Sequence, residues 1–176
     1  MSSYFLHQWQ NTRTVSGMTR EEFEKMVAEE FPNAIPEKFR GKVRNVAFLV
    51  EDEPSLLLRR EERLPQNQTL LGHYRGIPHT ARGDFYGVGS TLPDTITLFR
   101  IPIENEAWSM SERQQSVKES KTWPSGPERS LLHSAGGSYE QFVRRVIRET
   151  IWHEIAHHFG MNEREVRAKE KKRRSK

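Results

Sequence analysis

The chain has 176 residues, with 28 Lys and Arg against 24 Asp and Glu, and only 34% of it is hydrophobic. That length suits one domain with appended segments, and the absence of cysteine excludes a disulfide framework and any thiolate metal site. No apolar run approaches the ~18 residues that span a bilayer, and residues 1–17 lack the apolar core of a signal peptide, so a cytoplasmic protein without membrane association is expected.

The net charge of +4 is unevenly placed. Residues 164–176 contain eight Lys/Arg and two Glu, so the chain before them is net acidic. Such a run is ordinarily a solvated, partly helical terminus, and nucleic acid is not expected as a partner beyond this tail. Three segments follow: a flexible N-terminal extension over 1–17, a folded domain over 18–166, and a basic tail over 167–176.

In chain order, Thr19-Arg20-Glu21-Glu22 is a capping box. Phe23, Met26, Val27 and Phe31 then recur at helical spacing until Pro32, which predicts a helix over 19–30. Residues 43–50 read as a strand buried on at least one face. Glu51, Asp52 and Glu53 follow it as a solvated strand end, with a hard-cation site as the other reading. A short helix is predicted over 56–63 and a strand over 70–75. The Gly-rich loop over 76–93 carries His79, Arg82, Asp84 and Tyr86, residues that line a site or serve turn chemistry. Thr95-Ile96-Thr97-Leu98-Phe99-Arg100-Ile101 alternates polar and apolar residues, as a strand does. Residues 104–137 have the poorest pattern and read as an insertion, disordered or a lid.

A second helix opens at Ser138. Phe142, Val143, Val146, Ile147 and Ile151 form its apolar face; Gln141, Arg144, Arg145, Arg148 and Glu149 face water. It ends in His153-Glu154-Ile155-Ala156-His157. Histidines four apart on a helix share one face and can reach one metal ion, and this face is expected to turn toward the sheet. Glu154 lies about 100° around the helix, placed to serve as a general base. Gly160 can adopt a left-handed conformation and return Glu163 as a third ligand, leaving a fourth position for water; Glu165 competes for that role. His158 is expected to orient Glu154 or to bond locally. Against the metal reading stands a structural helix with two tolerated histidines.

Several blocks in this order resemble one family: Met18-Thr19-Arg20-Glu21-Glu22-Phe23; residues 46–55, ending in Glu-Asp-Glu-Pro-Ser; Leu70-Leu71-Gly72-His73-Tyr74-Arg75-Gly76-Ile77-Pro78; Leu92-Pro93-Asp94-Thr95-Ile96-Thr97-Leu98-Phe99-Arg100; and residues 153–163. Together they resemble the small bacterial zincin-like metallopeptidases, or minimal zincins. The resemblance implies an α+β fold, with a small mixed sheet packed on an active-site helix and an N-terminal helix beside it. It also implies Zn2+ held by His153, His157 and Glu163, Glu154 as catalytic base, and a peptide or protein substrate. In zincins an edge strand holds the substrate extended, which assigns that role to Thr97 and Phe99 of the strand over 95–101. His73, Tyr74, Arg82 and Tyr86 are open candidates for oxyanion stabilisation. The alternative function is a non-catalytic zinc protein in which the metal serves folding or partner binding.

Overall fold

The computed structural model describes residues 7–8, 18–82, 92–118 and 137–174. Its central element is the helix Gly137–His158, labelled α5 below. Val143, Val146, Ile147, Ile151 and Ile155 recur at intervals of three and four, and all are buried. Several are β-branched, so this helix depends on packing more than on propensity. It is covered by a helix on either flank and by a small sheet.

The first flank is α1, Arg20–Ala34. The capping box forms as expected: the Glu22 amide donates to Thr19 Oγ1 at 3.2 Å, and the Thr19 amide donates to Glu22 Oε2 at 2.8 Å. Pro32 does not end this helix, as its sequence suggested, but sits inside the last turn. Proline there removes one i→i−4 hydrogen bond, which burial of Ala34 and Ile35 in the core offsets.

After a short helix α2, Glu37–Arg40, come β2, Val46–Glu51, and α3, Leu56–Glu61, capped by Ser55. Strands β3, Gln68–Thr69, β4, Gly72–Arg75, and β5, Asp94–Phe99, follow. The three-stranded sheet has the order β2-β5-β4. Its β2 is parallel to β5, with Leu49 opposite Thr97, and β4 is antiparallel, with His73 opposite Thr97. The fold is therefore α+β with a small mixed sheet, as expected. The N-terminal extension lies outside the described residues except for His7–Gln8, which form β1 and pair with β3 rather than standing free.

The second flank corrects the insertion expected over 104–137. Its first part belongs to α4, Arg100–Lys118, which begins as β5 ends; residues 119–136 lie outside the described residues. Ile103 and Ala107 are fully buried, but Glu104, Glu106 and Ser111 are buried with them, which spoils the apolar period. Each has a partner: Arg100 donates to Glu104, and also to Asp52 and the Met18 carbonyl, each at 2.9 Å; Arg113 donates to Glu106 at 3.2 Å, and the Ser111 hydroxyl donates to the Trp108 carbonyl at 2.8 Å. Asp52 of the acidic triplet thus serves a guanidinium. Proline at position 102 falls in the first helical turn, where its missing N–H is harmless.

The chain ends in α6, Glu163–Arg174, which runs through the tail boundary expected at 166. Val166 is its only fully buried apolar side chain among the described residues, worth about 1.5–3 kcal/mol by area. Apolar contact alone holds this helix weakly.

The polar face of α5 is not wholly given to water. Glu30 of α1, 4% exposed, accepts from Arg144 at 3.1 Å and from Arg148 at 2.7 Å. Burial raises the Glu30 pKa, but the two guanidiniums outweigh it and hold it below 4.5. The stabilisation is therefore complete above the ordinary carboxyl range and lost as pH falls through the lowered value. Glu30→Gln is expected to lower stability at neutral pH by about 1–3 kcal/mol. In urea titrations, the gap from the parent should close as pH drops below 4.5; a gap independent of pH would contradict this account.

Candidate metal centre

The last two turns of α5 bury four ionisable side chains: His153 and His158 at 0% exposure, Glu154 at 1% and His157 at 8%. The helix then closes in a Schellman motif. Gly160 has φ 81°, its amide donates to the His157 carbonyl at 2.8 Å, and the Met161 amide reaches the Ala156 carbonyl at 3.0 Å. A Cβ at Gly160 would collide with Thr80 in the turn His79–Ala81, which lies across the end of the helix. Asn162 next caps α6 in a second box: the Glu165 amide donates to Asn162 Oδ1 at 3.1 Å and the Asn162 amide to Glu165 Oε2 at 2.8 Å. Glu165 is thereby used as a cap, and Glu163 faces back to α5.

His153, His157 and Glu163 come together, with one donor atom from each lying within 4.8 Å of the others. Glu163 Oε2 stands 3.3 Å from His153 Nε2 and 3.8 Å from His157 Nε2. The opposite nitrogens are engaged: His153 Nδ1 with Glu170 Oε1 at 2.9 Å and His157 Nδ1 with the Met161 carbonyl at 2.7 Å. Both partners are acceptors, so Nδ1 carries the proton and Nε2 presents its lone pair to Glu163. His157 Nε2 and Glu163 Oε2 are buried with no hydrogen-bond partner, which a cation between them would supply. Two imidazoles and a carboxylate are a donor set that suits zinc.

Charges in the cluster work against one another. Burial lowers His153, but its hydrogen bond to Glu170 and the charges of Glu154, Glu170 and Glu163 carry its pKa upward. Burial, and then the charge of His153, press His157 down to about 4. Burial lifts Glu154 to about 7.

The face of α5 that meets the sheet is the one bearing Thr150, Glu154 and His158, not the histidine face expected from the sequence. A Cβ on Gly72 of β4 would lie 2.7 Å from Thr150 and 3.0 Å from Glu154. Absence of a side chain at this position lets strand and helix touch. The Tyr74 backbone amide donates to the Glu154 carboxylate, while Glu154 Oε1 remains buried without a partner. His158 neither orients Glu154 nor bonds locally; its Nδ1 reaches across to Asp94 Oδ2 at 2.9 Å. The same Asp94 oxygen accepts from the Tyr74 hydroxyl at 2.8 Å and from Arg82, and its other oxygen from the Ile77 amide at 3.3 Å.

These contacts sort the oxyanion candidates. Tyr74 and Arg82 are engaged with Asp94. Alternation along β4 puts His73 on the far face of the sheet, where its Nε2 lies 3.3 Å from Glu62. Tyr86 lies outside the described residues. The substrate-strand assignment of Thr97 and Phe99 needs correction: β5 is the middle strand, hydrogen-bonded on both sides, and Phe99 is fully buried. No row of main-chain groups remains on it for a peptide.

Sequence reading missed Glu170 and Asp94. Glu170 looked like one charge in a tail, although Glu163, Val166 and Glu170 fall on one helical face. Asp94 looked like a strand-opening residue, and no local pattern marks it as a long-range partner.

A buried histidine pair and a carboxylate that could hold a metal ion thus stand at the end of a helix packed on a small mixed sheet. A family model described as zincin-like metallopeptidase matches residues 43–120 and 128–173, and the chain belongs to that family. Among curated proteins none matches the chain.

Gly160→Ala forces an L side chain into the left-handed region and against Thr80. It should cost about 1–3 kcal/mol of stability, measured by thermal or urea unfolding. A variant as stable as the parent would mean that this turn does not need glycine.

Proposed function

We propose that this protein is a zinc-dependent peptidase in which His153, His157 and Glu163 hold the metal and Glu154 is the general base. The observation that carries this reading is the convergence of His157 Nε2 and Glu163 Oε2, buried without partners, on His153 Nε2, beside a buried carboxyl group. Zinc bound there would supply a Lewis acid that polarises a peptide carbonyl and acidifies water. The chain's own residues do the rest. Glu154, anchored through the Tyr74 amide, accepts the proton of the attacking water through its second oxygen and delivers it to the departing amine. Burial raises its pKa from the ordinary carboxyl value in the metal-free chain. Glu170 and the Met161 carbonyl hold the imidazoles in the tautomer that leaves Nε2 available.

Substrate pairing moves to the outer strand β4 in this reading. It is an edge of the three-stranded sheet, and it is the strand that touches Glu154 through Gly72 and Tyr74. An extended peptide added there would run beside the base.

The test combines metal content with cleavage. Protein purified without a His tag should carry about one zinc per chain by mass spectrometry, and His157→Ala should lose it. Glu154→Gln should keep the zinc and lose about 10²–10⁴-fold in cleavage of a susceptible peptide. Cleavage by this variant at the parent's rate would refute the base assignment. Stoichiometric zinc with no cleavage across a peptide library would instead favour the non-catalytic zinc protein.

A further inference from the structure

The C-terminal helix supplies two carboxylates to one histidine cluster. Glu163 stands in the first turn of α6 and Glu170 two turns further on, so both lie on the same face with buried Val166 between them. Glu163 Oε2 faces His153 Nε2 at 3.3 Å, and Glu170 Oε1 meets Nδ1 of the same ring at 2.9 Å. A single helix thus holds one nitrogen of this imidazole and sets a carboxylate oxygen opposite the other. Arg167, four residues after Glu163, donates to its other oxygen at 2.5 Å and turns Oε2 inward.

Among the described residues of α6, only Val166 is fully buried. Its remaining described side chains are exposed or half-buried, and Arg164, Arg167, Lys169, Lys171 and Lys172 crowd like charge along it. The face turned to α5 is oppositely charged: Glu163 and Glu170 approach a pocket that already contains the Glu154 carboxyl group. Three acids around two imidazoles favour a bound cation.

We infer that α6 is a clamp closed by the metal, in which Glu170 is the positioning residue of His153, so that zinc binding and docking of the C-terminal helix are one equilibrium. This rests on the metal site proposed above and adds to it a residue of the basic tail and a linkage. Glu170 fixes the tautomer and the ring plane of His153, and outer partners of ligating histidines typically change metal affinity by about 10–100-fold. Linkage requires the reciprocal effect: whatever binds only the docked form stabilises docking.

Two measurements test it, and neither depends on peptidase activity. The first is limited trypsin digestion of the parent protein, with cleavage after Arg167 and Lys169 followed by mass spectrometry, in one equivalent of zinc and in excess chelator. Zinc should slow those cuts by at least about tenfold, while cuts elsewhere change less. The second is zinc affinity by competition with a fluorescent chelator for the parent, Glu170→Ala, Glu170→Gln and the surface control Lys169→Ala. Glu170→Ala should weaken binding by about 10–100-fold; Glu170→Gln, which keeps an acceptor for Nδ1–H, should recover much of this, and Lys169→Ala should match the parent. Tryptic rates unaffected by zinc, or Glu170→Ala affinity within about threefold of the parent, would overturn the inference while leaving the metal site intact. Failure of the parent to bind zinc at all would overturn both.

Discussion

Four ionisable side chains stand on the final two turns of a buried helix, and each must find a polar partner without water. The physical penalty for leaving any of them unpaired is large, and the fold meets it by drawing on a different part of the chain each time. His153 takes Glu170 from α6; His157 takes the Met161 carbonyl from the turn; Glu154 takes the Tyr74 amide from β4; His158 takes Asp94 from β5. Those partners are what hold the helix end, the sheet and the C-terminal helix in one arrangement. The cluster is therefore a structural junction. A substitution within it acts on stability as well as on the proposed site.

Asp94 shows how far this extends. At the start of the middle strand it gathers Tyr74, Arg82, the Ile77 amide and His158 on two carboxylate oxygens. Strand β4 and the turn at 79–81 are thereby drawn toward the end of α5, where Thr80 meets Gly160. Close approach at Gly72 on one side of the site and at Gly160 on the other sets the geometry with backbone, which is stiffer than any pair of long side chains could be. Between these two contacts lie Glu154 and the proposed ligands.

Much of the site was legible before folding was considered. Two histidines one helical turn apart, a glutamate between them and a glycine three residues past the second are all local features, and local geometry places them. The sequence left Glu163 and Glu165 both open as the third ligand; in the fold Glu165 pairs with Asn162 in a capping box. Elsewhere local reasoning misled. Glu104, Glu106 and Ser111 interrupt the apolar period of α4, so a packed helix resembled an insertion; in the fold Arg100 reaches Glu104, Arg113 reaches Glu106 and Ser111 bonds the Trp108 carbonyl. Pro32 looked like a stop because the core contacts of Ala34 and Ile35 beyond it do not show in local spacing.

Strand order belongs to the same class. Alternation in Thr95-Ile96-Thr97-Leu98-Phe99 reports which residues share a face but carries nothing about which strand lies beside which, so a central strand was read as an edge. By itself the sequence determined helix periods and caps, which depend on residues within a turn or two of one another, and the family, which shows in the order of short blocks along the chain. Only the tertiary structure decided that β5 is central, that β4 touches Glu154, that His158 bonds to Asp94 and that Glu170 holds His153. Each of these joins groups distant in the chain, and burial, which makes such polar contacts obligatory, is a property of the assembled fold.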